Sequence, residues 1–91
     1  MIRRVLVVEN KLGLHARAAA KLVHLTSRFR SDIHLARDGY RQAIDGKSIL
    51  GVLMLAAARG TRLVVSISGA DEIEADEAIG QLFADKFGEE S

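Results

Sequence analysis

A histidine and an arginine lie two residues apart in residues 12–17, where a glycine-containing loop leads into an alanine-rich helix. A helix N-terminus presents unpaired backbone N–H groups and the positive end of the helix dipole, so it favours a bound anion. His15 could hold or meet such an anion, and the guanidinium of Arg17 could pair with it. The pattern indicates a phosphoryl group carried on His15. A histidine at this place can also serve only to end a loop and cap the helix.

Length and composition limit the class of protein. The 91 residues provide one domain, and 48% of them are apolar, which is enough for a packed interior. The sequence contains no cysteine, so disulfides and thiolate chemistry are excluded. The apolar run at residues 49–58 is about half the length needed to span a bilayer. We therefore expect a soluble cytoplasmic protein with no membrane insertion.

Charge is divided unevenly along the chain. Residues 1–68 contain twelve Lys or Arg and four Asp or Glu, whereas residues 69–91 contain one Lys and eight acidic residues. A basic body could attract acidic or phosphorylated partners. The few aromatic residues are not interleaved with basic ones, as a stacking platform for nucleic acid would require. We interpret the basic surface as a protein-docking surface and the acidic segment as a solvated helix, and we expect no nucleic-acid partner.

Hydrophobic patterning predicts seven elements in the order βαββαβα. Strands are predicted at residues 2–9, 32–37, 40–44 and 62–68, and helices at about 16–29, 49–57 and 70–87. A two-residue turn at Asp38-Gly39 would join the second and third strands. Short alternating strands with amphipathic helices favour an α+β open-faced β-sandwich, in which helices cover one face of an antiparallel sheet. The domain should span residues 1–88, and residues 89–91 should form a short acidic tail.

The second predicted helix is short and apolar in nearly every direction. Ser48 is a good N-cap for it. A small domain cannot bury all of its apolar side chains, so we predict three core residues, Val52, Leu55 and Ala56. The remaining large apolar residues would form an exposed patch of the kind that marks a binding site, namely Ile49, Leu50 and Leu53. Ordinary core packing is the alternative interpretation of this patch.

The last predicted helix has one apolar stripe. Its apolar residues recur every four positions at Ala75, Ile79, Phe83 and Phe87, which predicts a buried face. The acidic residues at 71–74 lie in or near its first turn, where carboxylates complement the helix dipole.

Two segments of the chain resemble those of a known family. Residues 12–17, Leu-Gly-Leu-His-Ala-Arg, are similar to the active-site segment of the HPr family, the histidine-containing phosphocarriers of the bacterial phosphotransferase system. Residues 47–53, Lys-Ser-Ile-Leu-Gly-Val-Leu, are similar to the segment around that family's regulatory serine. The interval between the segments and the order of elements also match. The resemblance implies a four-stranded antiparallel sheet with strand order 1-4-2-3.

The resemblance implies a carrier rather than a stand-alone enzyme. His15 would accept a phosphoryl group through Nδ1 from phosphoenolpyruvate-charged Enzyme I and pass it to an EIIA-type acceptor domain of sugar transport. Imidazole suits this step because it is partly neutral near pH 7 and therefore nucleophilic. The backbone N–H groups of Ala16 and Arg17 would solvate the phosphate, and the Arg17 side chain would neutralise its charge. No cofactor is implied.

The resemblance also implies regulation and docking. Ser48 would be a regulatory phosphorylation site, and its partner would be an HPr kinase/phosphorylase where the organism has one. The positions that correspond to the family's docking surface are Ala20, Ile49, Leu50 and Leu53. We expect the protein to act as a monomer.

One residue departs from the family pattern. Ala18 stands where the family commonly has proline, and alanine keeps an N–H and gives a looser first turn, so phosphate transfer should survive. The departure leaves the family's parallel, nitrogen-related phosphorelay as an alternative to sugar transport. A second alternative is a regulatory binding module controlled by phosphorylation of Ser48. The pair of His15 and Arg17 favours the carrier, because such a module would not need it.

The other histidines do not indicate a metal site. His24 lies about half a turn around the helix axis from His15, so the two cannot share a site. His34 falls on the strand face opposite Ile33 and Leu35. Scattered histidines in a chain without cysteine lack the spacing of metal ligands, and we expect no bound metal.

Overall fold

Strands rich in β-branched residues form an antiparallel sheet in the computed structural model, which describes residues 1–89. The strands are β1 (Ile2–Val7), β2 (Asp32–Arg37), β3 (Ile44–Asp45) and β4 (Arg62–Ser68). They are ordered β1-β4-β2-β3, so β4 lies between β1 and β2. The predicted fold class and strand order are confirmed. Glu90 and Ser91, at the end of the predicted tail, lie outside the described residues.

Alternation along the central strands gives the sheet one buried and one open face. Leu63, Val65 and Ile67 of β4 are fully buried, and Ile33 and Leu35 of β2 are buried beside them. Neighbouring residues point to the opposite face because side chains alternate along a strand. That face is open, and His34 is exposed on it as predicted.

The helices cover the buried face. They are α1 (Ala16–Thr26), α2 (Ile49–Met54) and α3 (Glu72–Ala84), and a 3₁₀ helix follows at Lys86–Gly88. The stripe predicted at every fourth residue of α3 and the segment after it is buried, which confirms that prediction for Ala75, Ile79, Phe83 and Phe87. None of the helices in residues 1–89 is long and apolar enough to cross a membrane.

The predicted helices are longer than the observed ones. The first ends at Thr26 rather than near Phe29, the second at Met54 rather than near Ala57, and the third at Ala84 rather than Phe87. In each case the apolar pattern continues beyond the helix because the following turn is also packed on the core. Ala56 illustrates the consequence, since it takes a left-handed conformation with φ 49° and is exposed, while Ala57 is buried instead. The assignment of Ala56 to the core was wrong.

The return strand predicted at residues 40–44 forms further along the chain, as β3 at Ile44–Asp45. The turn at Asp38-Gly39 forms, closed by an N–H···O bond of 2.9 Å from Tyr40 to Arg37. Pairing resumes only where Ile44 meets Leu35 and Asp45 meets His34. Residues 40–43 are all exposed, so no buried face holds them in register with β2.

Candidate functional site

His15 is the N-cap of α1. Its backbone is extended, with φ −75° and ψ 178°, and its carbonyl accepts the first helical hydrogen bond from the Ala19 N–H at 2.8 Å. Its side chain turns toward the helix and Nδ1 accepts a hydrogen bond from the Arg17 N–H at 3.3 Å. A ring nitrogen that accepts a hydrogen bond carries no hydrogen and keeps its lone pair. Nδ1 therefore presents a lone pair at the N-terminus of α1.

Ala16 and Arg17 follow His15 in the chain and carry further hydrogen-bond donors. Both residues are exposed. Within residues 1–89 the Ala16 N–H has no hydrogen-bond acceptor, and the Arg17 guanidinium makes no hydrogen bond or ion pair. Unpaired N–H groups at a helix start and a guanidinium together form a site for an oxyanion. His15, Ala16 and Arg17 are consecutive at the start of α1, and their predicted role in binding phosphate stays a prediction.

The loop before His15 packs directly against the segment that follows α2. Gly13 has φ +69°, a conformation that favours glycine, and a Cβ there would lie 2.5 Å from the Ala57 carbonyl oxygen. The next residue, Leu14, is buried and donates its N–H to the same oxygen at 2.8 Å. A side chain at residue 13 would push the loop away from this support. Gly13 therefore determines where His15 enters the helix.

A carboxylate contacts the other ring nitrogen of His15. Glu89 Oε2 lies 2.6 Å from Nε2 of His15, and its Oε1 accepts a hydrogen bond of 3.0 Å from the side-chain amide of Asn10. The Asn10 amide also donates to the Gly13 carbonyl at 2.7 Å. These two contacts use both amide hydrogens of Asn10, a fully buried residue. The Asn10 bond, followed by the His15 bond, lowers the pKa of Glu89 below its ordinary value.

The chain reaches Glu89 through a left-handed turn. Lys86, Phe87 and Gly88 have φ values of 54°, 57° and 77°, and the Lys21 ammonium of α1 donates to the Phe87 carbonyl at 2.7 Å. A left-handed conformation costs a non-glycine residue about 1–2 kcal/mol. Burial of the Phe87 side chain, about 1.5–3 kcal/mol, and a pair with the Phe83 ring at 4.9 Å, about 0.5–1.5 kcal/mol, offset that cost. The turn therefore holds Glu89 over the start of α1.

Ser48 and the apolar residues predicted for docking lie on α2. Ser48 is the N-cap of α2 and its hydroxyl oxygen accepts the Gly51 N–H at 3.1 Å. Ile49, Leu50 and Leu53 are 42%, 67% and 37% exposed. Their predicted exposure is confirmed, as is the burial of Val52 and Leu55. Ala20, the docking position predicted on α1, is also exposed.

The remaining histidines lie away from this site. His24 is exposed in the last turn of α1, at the opposite end of the helix from His15. His34 is on the open face of the sheet. Within residues 1–89 neither side chain makes a hydrogen bond to His15, Ala16 or Arg17, in agreement with the spacing argument for His24.

Sequence reasoning missed Asn10 and Glu89. Glu89 fell in the predicted acidic tail, and it is 74 residues from His15 in the chain. The sequence does contain one signal, because Gly88 permits a turn that an extended helix would not make. For Asn10 the signal is a polar residue between an apolar strand and a glycine loop, a place where a buried side chain can satisfy loop carbonyls.

Comparison with known proteins shows the family to which the chain belongs. Residues 2–85 match the family model described as "PTS HPr component phosphorylation site". The chain belongs to the HPr family. It is 46% identical to "Phosphocarrier protein HPr" of Xylella fastidiosa over 91 residues, covering 100% of both chains. The chain is therefore identified as a phosphocarrier of the phosphotransferase system.

Solved HPr structures share the fold. The chain is 38% identical to HPr-C-His from Thermoanaerobacter tengcongensis, with a TM-score of 0.93 and coverage of 100% of both chains. It is 40% identical to the HPr dimer from the same organism, with a TM-score of 0.76, covering 90% of this chain and 92% of that one. The second comparison shows that an HPr can be dimeric, so the monomeric state expected for this chain stays a prediction.

Proposed function

We propose that this HPr carries a phosphoryl group on Nδ1 of His15, accepting it from phosphoenolpyruvate-charged Enzyme I and passing it to an EIIA-type acceptor domain. The observation that supports this is the placement of an unprotonated Nδ1 at the N-terminus of α1, where the Arg17 N–H contacts it at 3.3 Å. We place this activity in the cytoplasm, where phosphoenolpyruvate is available.

The transfer step uses the donors around His15. The Nδ1 lone pair attacks phosphorus while the bond from phosphorus to the donor's group breaks, and the electron pair of that bond leaves with the donor. The negative phosphoryl oxygens come to lie at the start of α1, where the N–H groups of Ala16 and Arg17 and the Arg17 guanidinium can bind them. In onward transfer the N–P bond breaks and its electron pair returns to Nδ1. The carrier therefore supplies a nucleophile and an anion site, and its partners supply the rest.

The partners dock, on this proposal, on an exposed apolar patch formed by Ala20, Ile49, Leu50 and Leu53. The three α2 residues are large, apolar and exposed, which is unusual on the surface of a small domain. The C-terminal end of α2 leads into Ala57, whose carbonyl holds the His15 loop through Leu14. A partner bound to α2 is thereby placed beside the loop that carries the phosphoacceptor.

Ser48 is the proposed regulatory site on the same helix. A phosphate on its hydroxyl would add a charge of about −1.5 to −2 at the N-terminus of α2, where the helix dipole favours negative charge. The same charge would lie beside Ile49 and Leu50 in the docking patch. Phosphorylation by an HPr kinase/phosphorylase would therefore inhibit docking without unfolding the helix.

The phosphoacceptor is tested by His15→Ala, with His24→Ala as the matched control on the same helix. With phosphoenolpyruvate and Enzyme I, the wild type and the control should take up radiolabelled phosphate that is released by acid, whereas His15→Ala should take up none. Circular dichroism should show that all three proteins are folded, because both histidines are at the surface. Acid-labile labelling of His15→Ala at the normal rate would refute the proposed function.

A further inference from the structure

The two nitrogens of the His15 ring have different partners. Nδ1 accepts from the Arg17 N–H at 3.3 Å, so it bears no hydrogen in this contact. Nε2 lies 2.6 Å from Glu89 Oε2, and a short contact between a ring nitrogen and a carboxylate requires a hydrogen between them. The neutral imidazole is therefore held as the tautomer with its hydrogen on Nε2.

We propose that Glu89 is a positioning residue for phosphoryl transfer, because its carboxylate keeps the hydrogen on Nε2 of His15 and directs the Nδ1 lone pair to the N-terminus of α1. This inference rests on the proposed function of His15. It gives a role to the C-terminal segment, in which Glu89 lies against the start of α1.

Charge gives the carboxylate a second role during transfer. When Nδ1 forms its bond to phosphorus, the ring keeps its hydrogen on Nε2 and becomes positively charged. The Glu89 carboxylate already accepts that hydrogen, so it balances the new charge without moving. When the N–P bond breaks in onward transfer, the electron pair returns to Nδ1, the ring becomes neutral, and the Nε2 hydrogen remains in place. No proton is gained or lost on the His15 ring in either direction.

The structure holds Glu89 in place from both sides of the carboxylate. Its other oxygen accepts from the buried Asn10 amide at 3.0 Å, and Asn10 is itself tied to the Gly13 carbonyl at 2.7 Å. The preceding turn is fixed by the buried Phe87 and by the Lys21 ammonium, which donates to the Phe87 carbonyl. The Asn10 amide and His15 lower the pKa of Glu89, so the carboxylate is ionised at neutral pH. Such support from several elements is what a positioning group requires.

The experiment compares Glu89→Gln and Glu89→Ala with the wild type and with Glu74→Gln. Glutamine keeps an oxygen that can accept from Nε2 but has no charge, whereas alanine removes both. Glu74 is a suitable control because it is exposed in the first turn of α3. That turn lies far from His15, since Asp71 beside it binds Arg30 and Ser31 beyond the C-terminal end of α1. Two quantities are measured. The first is the initial rate of Enzyme I-dependent phosphorylation, and the second is the set of ¹⁵N resonances of the His15 ring, recorded at a pH above the range in which histidine ordinarily titrates.

We expect Glu89→Gln to slow phosphorylation about tenfold and to keep the hydrogen on Nε2, since charge compensation alone is lost. Glu89→Ala should be at least as slow. The His15 ring in this variant should exchange between the tautomer with hydrogen on Nε2 and the one with hydrogen on Nδ1. Glu74→Gln should match the wild type in both measurements. Rates equal to the wild type in both Glu89 variants would overturn the proposal, as would faster rates or ring resonances that do not change in Glu89→Ala.

This design separates the inference from the function on which it rests. If the wild type accepts no phosphate, the proposed function fails, and the ring resonances alone then decide whether Glu89 determines the tautomer. If the wild type accepts phosphate and the Glu89 variants do so equally well, the function stands and the role of Glu89 is refuted.

Discussion

At the scale of the residue, His15 has a structural task and, on the proposed function, a chemical one. As N-cap it begins α1, and its ring accepts the Arg17 N–H through Nδ1. A phosphoryl group on Nδ1 would replace this contact and bring its own oxygens to the same backbone donors. On the proposed function, the cap interaction occupies the place of the anion, which would explain a histidine at a position where serine, threonine or aspartate is usual.

Arg17→Ala should slow phosphorylation of His15 by about tenfold to a hundredfold without abolishing it. The guanidinium is lost, but the N–H groups at the start of α1 remain as donors. The measurement is the initial rate of acid-labile labelling with Enzyme I and phosphoenolpyruvate. Arg28→Ala, an exposed arginine just beyond the C-terminal end of α1, removes the same charge and should transfer at the wild-type rate. An unchanged rate in Arg17→Ala would remove its side chain from the site.

At the scale of the element, α2 is the least buried of the helices. It has six residues, and Val52 is the one that is fully buried within it. Its N-terminus is capped by Ser48, and its C-terminus leads into the segment that supports the His15 loop. Such a helix contributes little core area and is therefore free to present apolar residues to a partner.

Leu50→Asp should weaken binding to Enzyme I about tenfold or more and shift the melting temperature by no more than about 2 °C. Leu50 is 67% exposed, so the substitution removes apolar contact area from the patch and little from the core. Ile73→Asp on α3 is the matched control, because Ile73 is an apolar residue that is 62% exposed away from α2. Calorimetric titration gives the affinity. A large loss of melting temperature with unchanged affinity would place Leu50 in the core and end its role in docking.

Charge on the same helix provides a second arm of this test. Ser48→Asp adds a carboxylate at the N-cap, where it can accept the Gly51 N–H as the serine does. We expect a folded protein with slower phosphorylation of His15 and a deficit that changes with salt, because exposed charges are screened. For Leu50→Ala, which loses apolar contact and adds no charge, the deficit should persist at high salt. Normal transfer by folded Ser48→Asp would contradict regulation by charge.

At the scale of the whole molecule, the acidic C-terminal part is tied to the basic remainder through specific contacts. Asp76 pairs with Arg4 at 3.2 Å, Glu72 with the N-terminal ammonium at 3.0 Å, and Glu89 with His15 at 2.6 Å. Asp71 accepts the backbone N–H groups of Arg30 and Ser31 at 2.8 and 2.9 Å. The acidic segment is therefore more than a solvated helix, because four of its carboxylates bind β1, the N-terminus, the N-cap of α1 or the loop between α1 and β2.

Asp71 makes stability depend on acid. Hydrogen bonds from the Ser31 hydroxyl and the Arg30 N–H lower its pKa from 3.8 to about 2. Because the folded-state pKa is depressed, the stabilisation is present above the unfolded value and is lost as the pH falls toward about 2. Asp71→Asn should lower the melting temperature at neutral pH, and its difference from the wild type should shrink in acid.

Thermal unfolding between neutral pH and pH 2 measures this effect. Asp32→Asn is the control, because Asp32 is exposed and its side chain makes no hydrogen bond or ion pair within residues 1–89. Its melting temperature should run parallel to that of the wild type. A constant difference between Asp71→Asn and the wild type across the whole range would show that the Asp71 carboxylate is not the titrating group.

The sequence by itself determined the features that depend on neighbours in the chain. A helix N-terminus requires a capping residue and then helical periodicity, so His15 and Ser48 could be placed at helix starts before any fold was known. The stripe from Ala75 to Phe87 follows from the same local periodicity, whereas α2 is apolar in nearly every direction and its sequence left core packing open for the patch. The strand order came from resemblance to a family and not from these patterns.

Only the tertiary structure decided what meets His15 across the chain. Asn10 and Glu89 lie near opposite ends of the chain. Their contact depends on how α3 packs and on the left-handed turn at residues 86–88. Gly88 permits such a turn, but local patterns do not predict left-handed conformations at Lys86 and Phe87, because their cost is offset by burial of Phe87 against the rest of the core. Tertiary contacts also decided that Ala56 is exposed and Ala57 buried, because α2 ends where the next segment packs against the His15 loop. The sequence indicated a phosphoryl group on His15, whereas the partners of its two ring nitrogens required the fold.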